Sequence, residues 1–319
     1  MCFFENEITI ESRPLLEEYL GSFEYRASGL SFTSLYMWRN INKFTWKVIG
    51  DYLCVSAVDN LEPTMGVPFL LPPLTRTGAY EPEGLAETIC AARRIFEENG
   101  CAFKLMLVPF HMTDFLEEAF PGKLRIEADR PNFDYVYNTQ DLIELKGREY
   151  HTKKNHLNYF LNNYEYEYVS LRSDMADEAM DFIRRFNERK NLEDSHEKEL
   201  LLMEERAMHD VFHNLEVVGY LTGAIRINGS IEALSIGGRL GKKTVTVHVE
   251  KANTEFRGLY QAINNEFCKH VAKDVKRINR EEDMGIPGLR KAKLSYKPAM
   301  LVEKYTVCFI DPHGCRRFR

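Results

Sequence analysis

Hydrophobic residues recur at the spacing of an α-helix in several parts of the chain. In the clearest case, residues 83–99, four of them fall on one helical face before the stop signal Gly100: Leu85, Ile89, Ala92 and Ile95. By the same reasoning, the pattern predicts helices over 11–22, 147–163, 174–189, 196–212, 259–273 and 286–296, and a short helix around residues 115–120.

Shorter apolar runs bounded by turn residues predict strands. Residues 44–58 have the pattern of a hairpin that turns at Gly50-Asp51, and Asn228-Gly229 is a strong hairpin signal between two later runs. Further strands are predicted over 67–71, 103–108, 124–127, 134–137, 166–170, 217–227, 230–240, 244–250, 275–279 and 302–310.

The order of these elements divides the chain into two α+β halves. After its opening helix, the second half runs β-α-α-β-β-β-α-β-α-β, and the three consecutive strands form an antiparallel meander. The change of pattern falls near residues 138–147, where no flexible linker marks it. We therefore predict an N-terminal domain over 1–140 and a C-terminal domain over 141–319.

Composition excludes several classes of protein. The chain has 319 residues, 44% of them hydrophobic, which suffices for two packed cores. The net charge of −6 provides no general attraction for nucleic acid or a membrane surface. No apolar run approaches the roughly 20 residues that span a bilayer, and the first residues lack a signal-peptide pattern. Seven cysteines without CxxC spacing favour free thiols in a reducing compartment, so we expect a cytoplasmic protein.

The familiar catalytic motifs are also absent from the sequence. It contains no Walker loop, GxSxG elbow, HExxH pair or dinucleotide-binding GxGxxG. No spacing of cysteine or histidine residues predicts a metal site.

The densest candidate chemistry lies in the segment NREEDMGIPGLRKAKLSYKP, residues 279–298. It follows a predicted strand and leads into a predicted helix, with Pro287 in the first turn, where a missing N–H is tolerated. Ligands of α/β sheets bind at the carboxyl ends of strands, and helix N-termini attract anions. We therefore expect the functional site of the C-terminal half here.

Three acids are candidates for a proton acceptor. Glu282 and Asp283 lie in a cluster of like charges, and partial burial of either would raise its pKa. Asp283 could instead cap the following helix or pair with Arg290 or Lys291. The third candidate is Glu250, which alternates with His248 on the last strand of the meander and would share its face, although it could equally be a cross-strand partner.

Other residues of the segment are candidates for substrate binding. The Asn279 amide could hydrogen-bond a carbonyl, and Arg280 could bind a carboxylate or phosphate; either could instead hold the loop in place. Arg290 and Lys293 lie on one helical face, which could bind an anion or be a solvated surface. The remaining candidates, as hydrogen-bond donors or core residues, are Ser295 and Tyr296.

Two further places could contact phosphate. The helix predicted over 147–163 begins with a basic cluster that suits a nucleic-acid backbone or a nucleotide, and also suits a plain amphipathic helix: Arg148, Lys153 and Lys154. The turn TEFRGLYQA, residues 254–262, opens another helix. Its Arg257 and Gly258 could hold a phosphate, or the turn could be an ordinary helix entry.

The element order of the second half, with its meander before a helical crossover, resembles the GNAT acyltransferase fold. The segment 279–298, together with REYHTKKNHLNYF at 148–160, resembles the bacterial family related to the C-terminal catalytic domain of phosphatidylglycerol lysyltransferases. The resemblance covers nearly the whole chain and implies an α+β fold of two GNAT-like domains in tandem. Two departures stand out: the membrane domain of the lysyltransferases is absent, and turn 254–262 keeps little of the glycine-rich acetyl-CoA loop.

The resemblance implies transfer of an activated acyl group, from acyl-CoA or aminoacyl-tRNA, to an amine or hydroxyl of a small molecule or peptide. No tightly bound cofactor is expected, and tRNA is a candidate partner. Asp283 or Glu282 would accept the proton, with Glu250 as the alternative. A different hypothesis, favoured by the degenerate turn 254–262, is a non-catalytic GNAT-like module that binds a small anionic ligand or RNA.

Overall fold

The computed structural model describes residues 3–22, 26–58, 66–189 and 195–310. The chain forms two compact units: one runs up to Asp134 and takes in the segment from Val302, and the other is Tyr135–Leu301. The predicted division at residues 140 and 141 differs from this in two ways. The boundary falls earlier, and the last predicted strand, 302–310, belongs to the first unit rather than the second.

The first unit is built on a mixed sheet with helices. Its elements are β1 Asn6–Glu7, α1 Arg13–Leu20, α2 Phe32–Trp38, β2 Thr45–Ile49, β3 Tyr52–Val58, β4 Pro68–Leu70, β5 Leu74–Thr75, α3 Pro82–Glu98, β6 Leu105–Pro109, α4 Phe110–Ala119, β7 Leu124–Ala128 and, from the end of the chain, β15 Lys304–Phe309. The strand order is β1-β2-β3-β4-β6-β15-β7, and β5 pairs with β3.

The second unit contains the remaining elements. They are β8 Asp134–Asn138, α5 Thr139–Glu144, α6 His151–Asn163, β9 Glu167–Val169, α7 Ala176–Glu188, α8 Ser195–His213, α9 Leu215–Val218, β10 Leu221–Ile227, β11 Ser230–Leu240, β12 Thr244–Ala252, α10 Leu259–Val271, β13 Arg277–Asn279, α11 Pro287–Leu294 and β14 Met300–Val302. The strand order is β9-β10-β11-β12-β13-β8-β14.

The two sheets follow one plan. In each, the first strands are neighbours in sequence order, and the last but one position holds a strand from a distant part of the chain: β15 in the first sheet and β8 in the second. The predicted α+β fold with two mixed-sheet domains is therefore confirmed. Sequence order alone places β15 at the end of the second half, because consecutive elements usually lie side by side.

Helix α10 organises the core of the second unit. Its apolar side chains pack with residues of α5, α6 and the central strands in one buried cluster, to which it contributes Leu259, Ala262, Ile263, Phe267 and Cys268. Each fully buried large apolar side chain stabilises the fold by roughly 1.5–3 kcal/mol. The helix is thereby fixed against the sheet, and it lies directly over β12, which carries Glu250.

The predicted elements differ from the structure in two further places. The strand predicted to begin at Val217 begins only at Leu221, after the short helix α9. Helix α2 was missed, since nearly all of its residues are buried and it shows no alternation of apolar and polar faces.

Two further findings concern membrane-spanning helices and the cysteines. In the described residues, no helix is both long enough and apolar enough to cross a membrane. The prediction of free thiols is confirmed for Cys54, Cys101, Cys268 and Cys308. It is wrong for Cys90, which is disulfide-bonded.

Candidate active site

The candidate site lies where strands β12 and β13 stop pairing. The two parallel strands pair only over Thr244–Thr246 and Arg277–Asn279. A β-bulge follows in β12, with His248 as its extra residue. Bulges bend a strand and redirect its side chains. We call the region between residues 247–250 of β12 and residues 280–283, which follow β13, the divergence cleft.

The bulge changes which side chains share a face. In the ladder with β11, Val247 pairs with Gly237 and Glu250 pairs with Ser235, so Val247 and Glu250 lie on one face although they are three residues apart. The predicted alternation, which put His248 and Glu250 together, is therefore wrong. The two side chains have different partners, because the extra residue breaks the two-residue period of the strand.

Glu250 and Arg280 form an ion pair across the divergence cleft. Arg280 Nη2 lies 2.6 Å from Glu250 Oε1, and the Asn264 amide of α10 donates to Glu250 Oε2 at 2.9 Å. Only 9% of the Glu250 side chain and 14% of the Arg280 side chain are exposed. Burial by itself would lower the pKa of Arg280, but the charge of Glu250 outweighs it and raises that pKa above its usual range.

Aromatic rings and a second cation surround this pair. The guanidinium of Arg280 lies 4.8 Å from the ring centroid of Tyr296 and 5.8 Å from that of Tyr137. The ammonium of Lys153, from α6, lies 4.4 Å from the centroid of the Tyr296 ring. Burial raises the pKa of Tyr296 to about 12, so its hydroxyl is neutral. Cation–π contacts of this kind contribute about 0.5–2 kcal/mol each.

Lys153 differs from its neighbours on α6. Burial lowers the pKa of Lys153, the charge of Arg280 lowers it further, and Glu250 acts in the opposite direction. The cluster thus holds two basic groups against one carboxylate. Arg148 and Lys154, which were predicted with Lys153 as one phosphate-binding group, lie exposed on the surface.

Two polar atoms of this cluster are buried without a hydrogen-bond partner among the described residues. They are Arg280 Nη1 and Ser235 Oγ, and Ser235 is the residue that pairs with Glu250 across the strands. Most buried polar atoms in folded proteins are hydrogen-bonded, and exceptions often mark functional positions. The cluster therefore has the capacity to donate to an oxygen of a ligand.

Asp283 holds the loop after β13 through several hydrogen bonds. Arg290 binds its carboxylate through two nitrogens, at 2.7 and 2.9 Å, and the Tyr135 hydroxyl donates to it at 2.5 Å. The Gly285 N–H also donates to it, at 2.9 Å. Burial alone would raise the pKa of Asp283, but hydrogen bonds from Arg290 and Tyr135 outweigh it and hold that pKa well below its usual range. A carboxylate held in this way is a poor proton acceptor at neutral pH.

Other residues of the 279–298 segment shape the loop. The buried ammonium of Lys293 donates to the backbone carbonyl of Arg280 at 2.5 Å and also to that of Glu282. Asn279 Oδ1 accepts the N–H of Glu281 at 2.8 Å, and Ser295 Oγ donates to the Ala292 carbonyl at 2.5 Å. Lys293 and Arg290 therefore bind the protein itself rather than forming the free basic stripe that their spacing predicted.

The turn before α10 also has a packing explanation. Gly258 adopts a φ of 91°, and a Cβ there would lie 2.1 Å from the backbone oxygen of His156 in α6. Only glycine allows this approach, so α6 lies directly against the helix entry. Arg257 is exposed, with its guanidinium 4.4 Å from the centroid of the Tyr159 ring.

A second pair bridges the cleft and was missed by the sequence reasoning. His248 Nδ1 lies 2.8 Å from Glu281 Oε1. The sequence places Glu281 next to the two acids that were singled out, but spacing alone does not say which of three consecutive acids meets a distant histidine. Arg280 and Glu281 are consecutive, so adjacent residues after β13 bind Glu250 and His248, two positions of the same strand.

Comparison with known proteins identifies the family. The model of the family described as "Phosphatidylglycerol lysyltransferase, C-terminal" matches residues 21–308. A crystal structure of a conserved protein of unknown function from Bacteroides thetaiotaomicron VPI-5482 is 32% identical, covers 97% of this chain and 100% of its own, and has a TM-score of 0.85.

Two more distant matches complete the comparison. The structure of L-PGS from Bacillus licheniformis is 12% identical, covers 95% of this chain and 92% of its own, and has a TM-score of 0.62, which is a likeness of fold alone. An uncharacterized protein of Mycoplasmoides gallisepticum is 25% identical over 182 residues, 54% of this chain. The match spans about half the length of that curated relative, 55%.

Proposed function

This chain belongs to the phosphatidylglycerol lysyltransferase C-terminal family, and from that premise we propose that it is an acyl- or aminoacyltransferase. The reaction moves an activated acyl group, from acyl-CoA or aminoacyl-tRNA, to an amine or hydroxyl of a small molecule or peptide. The divergence cleft of the second unit is the site of transfer. Holding two substrates in position is the largest contribution that such a site makes to the rate.

The observation that supports this proposal most directly is the burial and incomplete hydrogen bonding of the Arg280 guanidinium. Its guanidinium is charged and largely buried, Glu250 binds one nitrogen, and Nη1 has no hydrogen-bond partner among the described residues. Lys153 adds a second basic group at the same tyrosine ring. An anionic or carbonyl oxygen of the substrate would complete this arrangement, since charge-assisted hydrogen bonds in a desolvated site are strong.

The proposed roles follow the geometry. Arg280, Lys153 and Tyr296 bind the substrate, and Glu250 orients Arg280. Asp283, Arg290 and Lys293 hold the loop that positions Arg280. If the donor is a charged tRNA, the exposed cations Arg148, Lys154 and Arg257 contact its backbone, because phosphate contacts come mainly from accessible lysine and arginine side chains.

Thermal shift with a panel of ligands tests the proposal. The panel is coenzyme A, acetyl-CoA, aminoacylated tRNA and uncharged tRNA, and a ligand that binds the native state raises the melting temperature by mass action. A shift with a CoA species supports acylation by a small donor. A shift with tRNA alone supports aminoacyl transfer. If none of the four raises the melting temperature, the proposed donors are wrong.

Lysine variants test whether a ligand that raises the melting temperature binds in the divergence cleft. We expect Lys153→Met to reduce the shift with any true donor by at least half, because it removes one basic group beside Tyr296. Lys154→Met, on the adjacent exposed position, should reduce only a tRNA shift. Lys242→Met, an exposed lysine in a hairpin turn, serves as the control with an unchanged shift. Equal shifts of the melting temperature for Lys153→Met and the control would show that Lys153 does not contact the ligand.

The alternative function is a module that binds a small anionic ligand or RNA without turnover. It is favoured by one observation: Glu250 and Asp283 are both held in ion pairs with arginines. The two functions are separated by following the acyl group of any donor that binds. Binding with no release of the acyl group over many hours supports the module.

A further inference from the structure

Lys153 is a half-buried cation that has no oxygen partner in the protein. Its ammonium lies 4.4 Å from the centroid of the Tyr296 ring, and it makes neither a hydrogen bond nor an ion pair with the described residues. The other described lysines of the second unit that are not exposed each bind an oxygen: Lys251 that of Glu204 at 2.7 Å, Lys269 that of Glu266 at 3.1 Å, and Lys293 backbone carbonyls. The donors of Lys153 are therefore left for a ligand.

The ammonium of Lys153 is also accessible from outside the protein. Arg280 Nη1 is enclosed without a hydrogen-bond partner, whereas Lys153 Nζ, which has none in the described residues either, retains contact with solvent. Both cations lie close to the same ring, at 4.4 and 4.8 Å from the centroid of Tyr296. A ligand can therefore reach Lys153 without displacing a protein group that binds it, and it then lies beside the Arg280 pair.

The charges around Lys153 favour a ligand group with a single negative charge. Glu250 neutralises Arg280 at 2.6 Å, which leaves the charge of Lys153 unbalanced. The charge of Glu250 also acts on Lys153, so a doubly charged group such as a phosphate monoester would be repelled by that carboxylate. A carboxylate balances Lys153 with one charge, and hydrogen bonds between an ammonium and a carboxylate are among the strongest in proteins.

A free carboxylate at this place belongs to the acceptor rather than to the donor. The carboxyl carbon of an acyl-CoA is bound in a thioester, and that of an aminoacyl-tRNA is bound in an ester, so neither has a free carboxylate at its reacting end. An amino acid or a peptide carries both groups that the site requires, an amine that attacks and a carboxylate that is held.

We propose that Lys153 binds the carboxylate of an acceptor that is an amino acid or a short peptide. This inference rests on the proposed function, whose acceptor it names. The neutral amine of the acceptor forms a bond to the acyl carbon, the bond from that carbon to the donor's sulfur or ester oxygen breaks, and the proton lost by the amine goes to the leaving atom. An ammonium has three N–H donors, so Lys153 can bind the acceptor's carboxylate and the donor's carbonyl oxygen together. It thereby brings the amine and the acyl carbon into contact.

Calorimetric titration of the full chain with two matched ligands tests this inference. L-Alanyl-L-alanine carries an amine and a carboxylate, and its C-terminal amide keeps the amine but lacks the negative charge. The key variant is Lys153→Met, which keeps an unbranched side chain beside Tyr296 and removes the charge. Lys242→Met, an exposed lysine in a hairpin turn, is the matched control.

We expect the wild-type protein to bind the dipeptide at least about tenfold more tightly than the amide. Lys153→Met should lose this preference, and the control should keep it. Equal affinities of the wild-type protein for the two ligands, or no binding of either, would overturn the inference. This comparison needs no variant, so it decides the question even if Lys153→Met does not fold.

Two further measurements separate the alternatives. Glycerophosphoethanolamine joins an amine to a phosphodiester of the same single charge, and the inference is wrong if it binds more tightly than the dipeptide. Transfer of a labelled acyl group from acetyl-CoA and from aminoacylated tRNA is then followed with the dipeptide and with its amide. Equal transfer to both would overturn the inference and leave the proposed function standing. Binding that depends on the carboxylate, without transfer from either donor, would overturn the proposed function and with it the role of the dipeptide as acceptor.

Discussion

The side chain and the backbone of Arg280 make different kinds of contact. The guanidinium binds Glu250 across the cleft, while the backbone carbonyl of the same residue accepts the buried ammonium of Lys293. A buried cation that is only partly hydrogen-bonded costs stability, since its desolvation is not fully offset. The loop contacts hold Arg280 in this position, so that its unsatisfied nitrogen is available when a ligand enters.

A substitution at Asp283 tests whether this residue holds the loop in place or takes part in catalysis. We predict that Asp283→Asn lowers the free energy of unfolding by about 2–3 kcal/mol at pH 7, because the amide cannot accept both nitrogens of Arg290 and the Tyr135 hydroxyl. Urea denaturation measures this loss. A catalytic role would instead abolish turnover at nearly unchanged stability.

The pH dependence of this loss follows from the pKa of Asp283, which lies well below its usual range. A depressed pKa means that the carboxylate stabilises the fold fully above about pH 4 and progressively less as the pH falls below it. The difference in the free energy of unfolding between wild type and Asp283→Asn should therefore narrow as the pH falls from about 4 to about 2. Asp274→Asn, which breaks an exposed pair with Arg239, is the control and should change stability little at any pH.

The site could be predicted from the sequence only in part. The 279–298 segment was singled out because polar residues cluster beside glycine and proline, and Arg280 and Tyr296 do belong to the candidate cluster. Glu281 was not chosen over its neighbours, because its role depends on a bulge in β12 that shifts the register by one residue. Lys153 was grouped with Lys154 by proximity in sequence, whereas the helix turns only one of them toward Tyr296.

At the scale of elements, the contact between α6 and α10 fixes the position of Lys153, on α6, relative to the divergence cleft. Gly258 begins α10 directly against the His156 carbonyl of α6, and Lys153 lies one turn earlier on α6, beside Tyr296. A shift of α6 would therefore move Lys153 relative to Arg280. Amphipathic patterns predicted both helices well, but they carry no information on how closely two helix backbones approach.

Gly258→Ala should disturb this contact. A Cβ 2.1 Å from the His156 oxygen forces a backbone shift, and a φ of 91° disfavours any side chain. We expect the free energy of unfolding to fall by about 2–4 kcal/mol. Gly288→Ala, where no atom lies within 4 Å of the added Cβ, is the matched control and should stay within about 0.5 kcal/mol of wild type. Equal stabilities of the two variants would show that α6 moves aside at little cost.

At the scale of the molecule, the chain leaves the first unit after Asp134 and returns to it at Val302. A buried ion pair marks both points: Lys304 Nζ lies 2.6 Å from Asp134 Oδ1, and the side chains are 2% and 0% exposed. The Ser28 N–H and hydroxyl also donate to Asp134, at 2.7 and 3.0 Å. The pattern of apolar residues predicted the β15 strand itself, but its sheet depends on this long-range pairing, which local periodicity does not encode.

Lys304→Met should therefore destabilise the first unit strongly. It leaves the Asp134 carboxylate buried without its cation, and removing one partner of a buried pair typically costs about 3–5 kcal/mol. Adding Asp134→Asn to this variant should recover part of the loss, since the buried negative charge is then gone. Lys47→Met provides the control, because it removes an ion pair of the same unit, with Glu5, that is largely exposed, and its effect should be small. Denaturant unfolding of the four proteins measures each step. If Lys304→Met were as stable as Lys47→Met, β15 would be held in the sheet by its backbone pairing with β6 and β7 alone, and the buried pair would not be what anchors the returning strand.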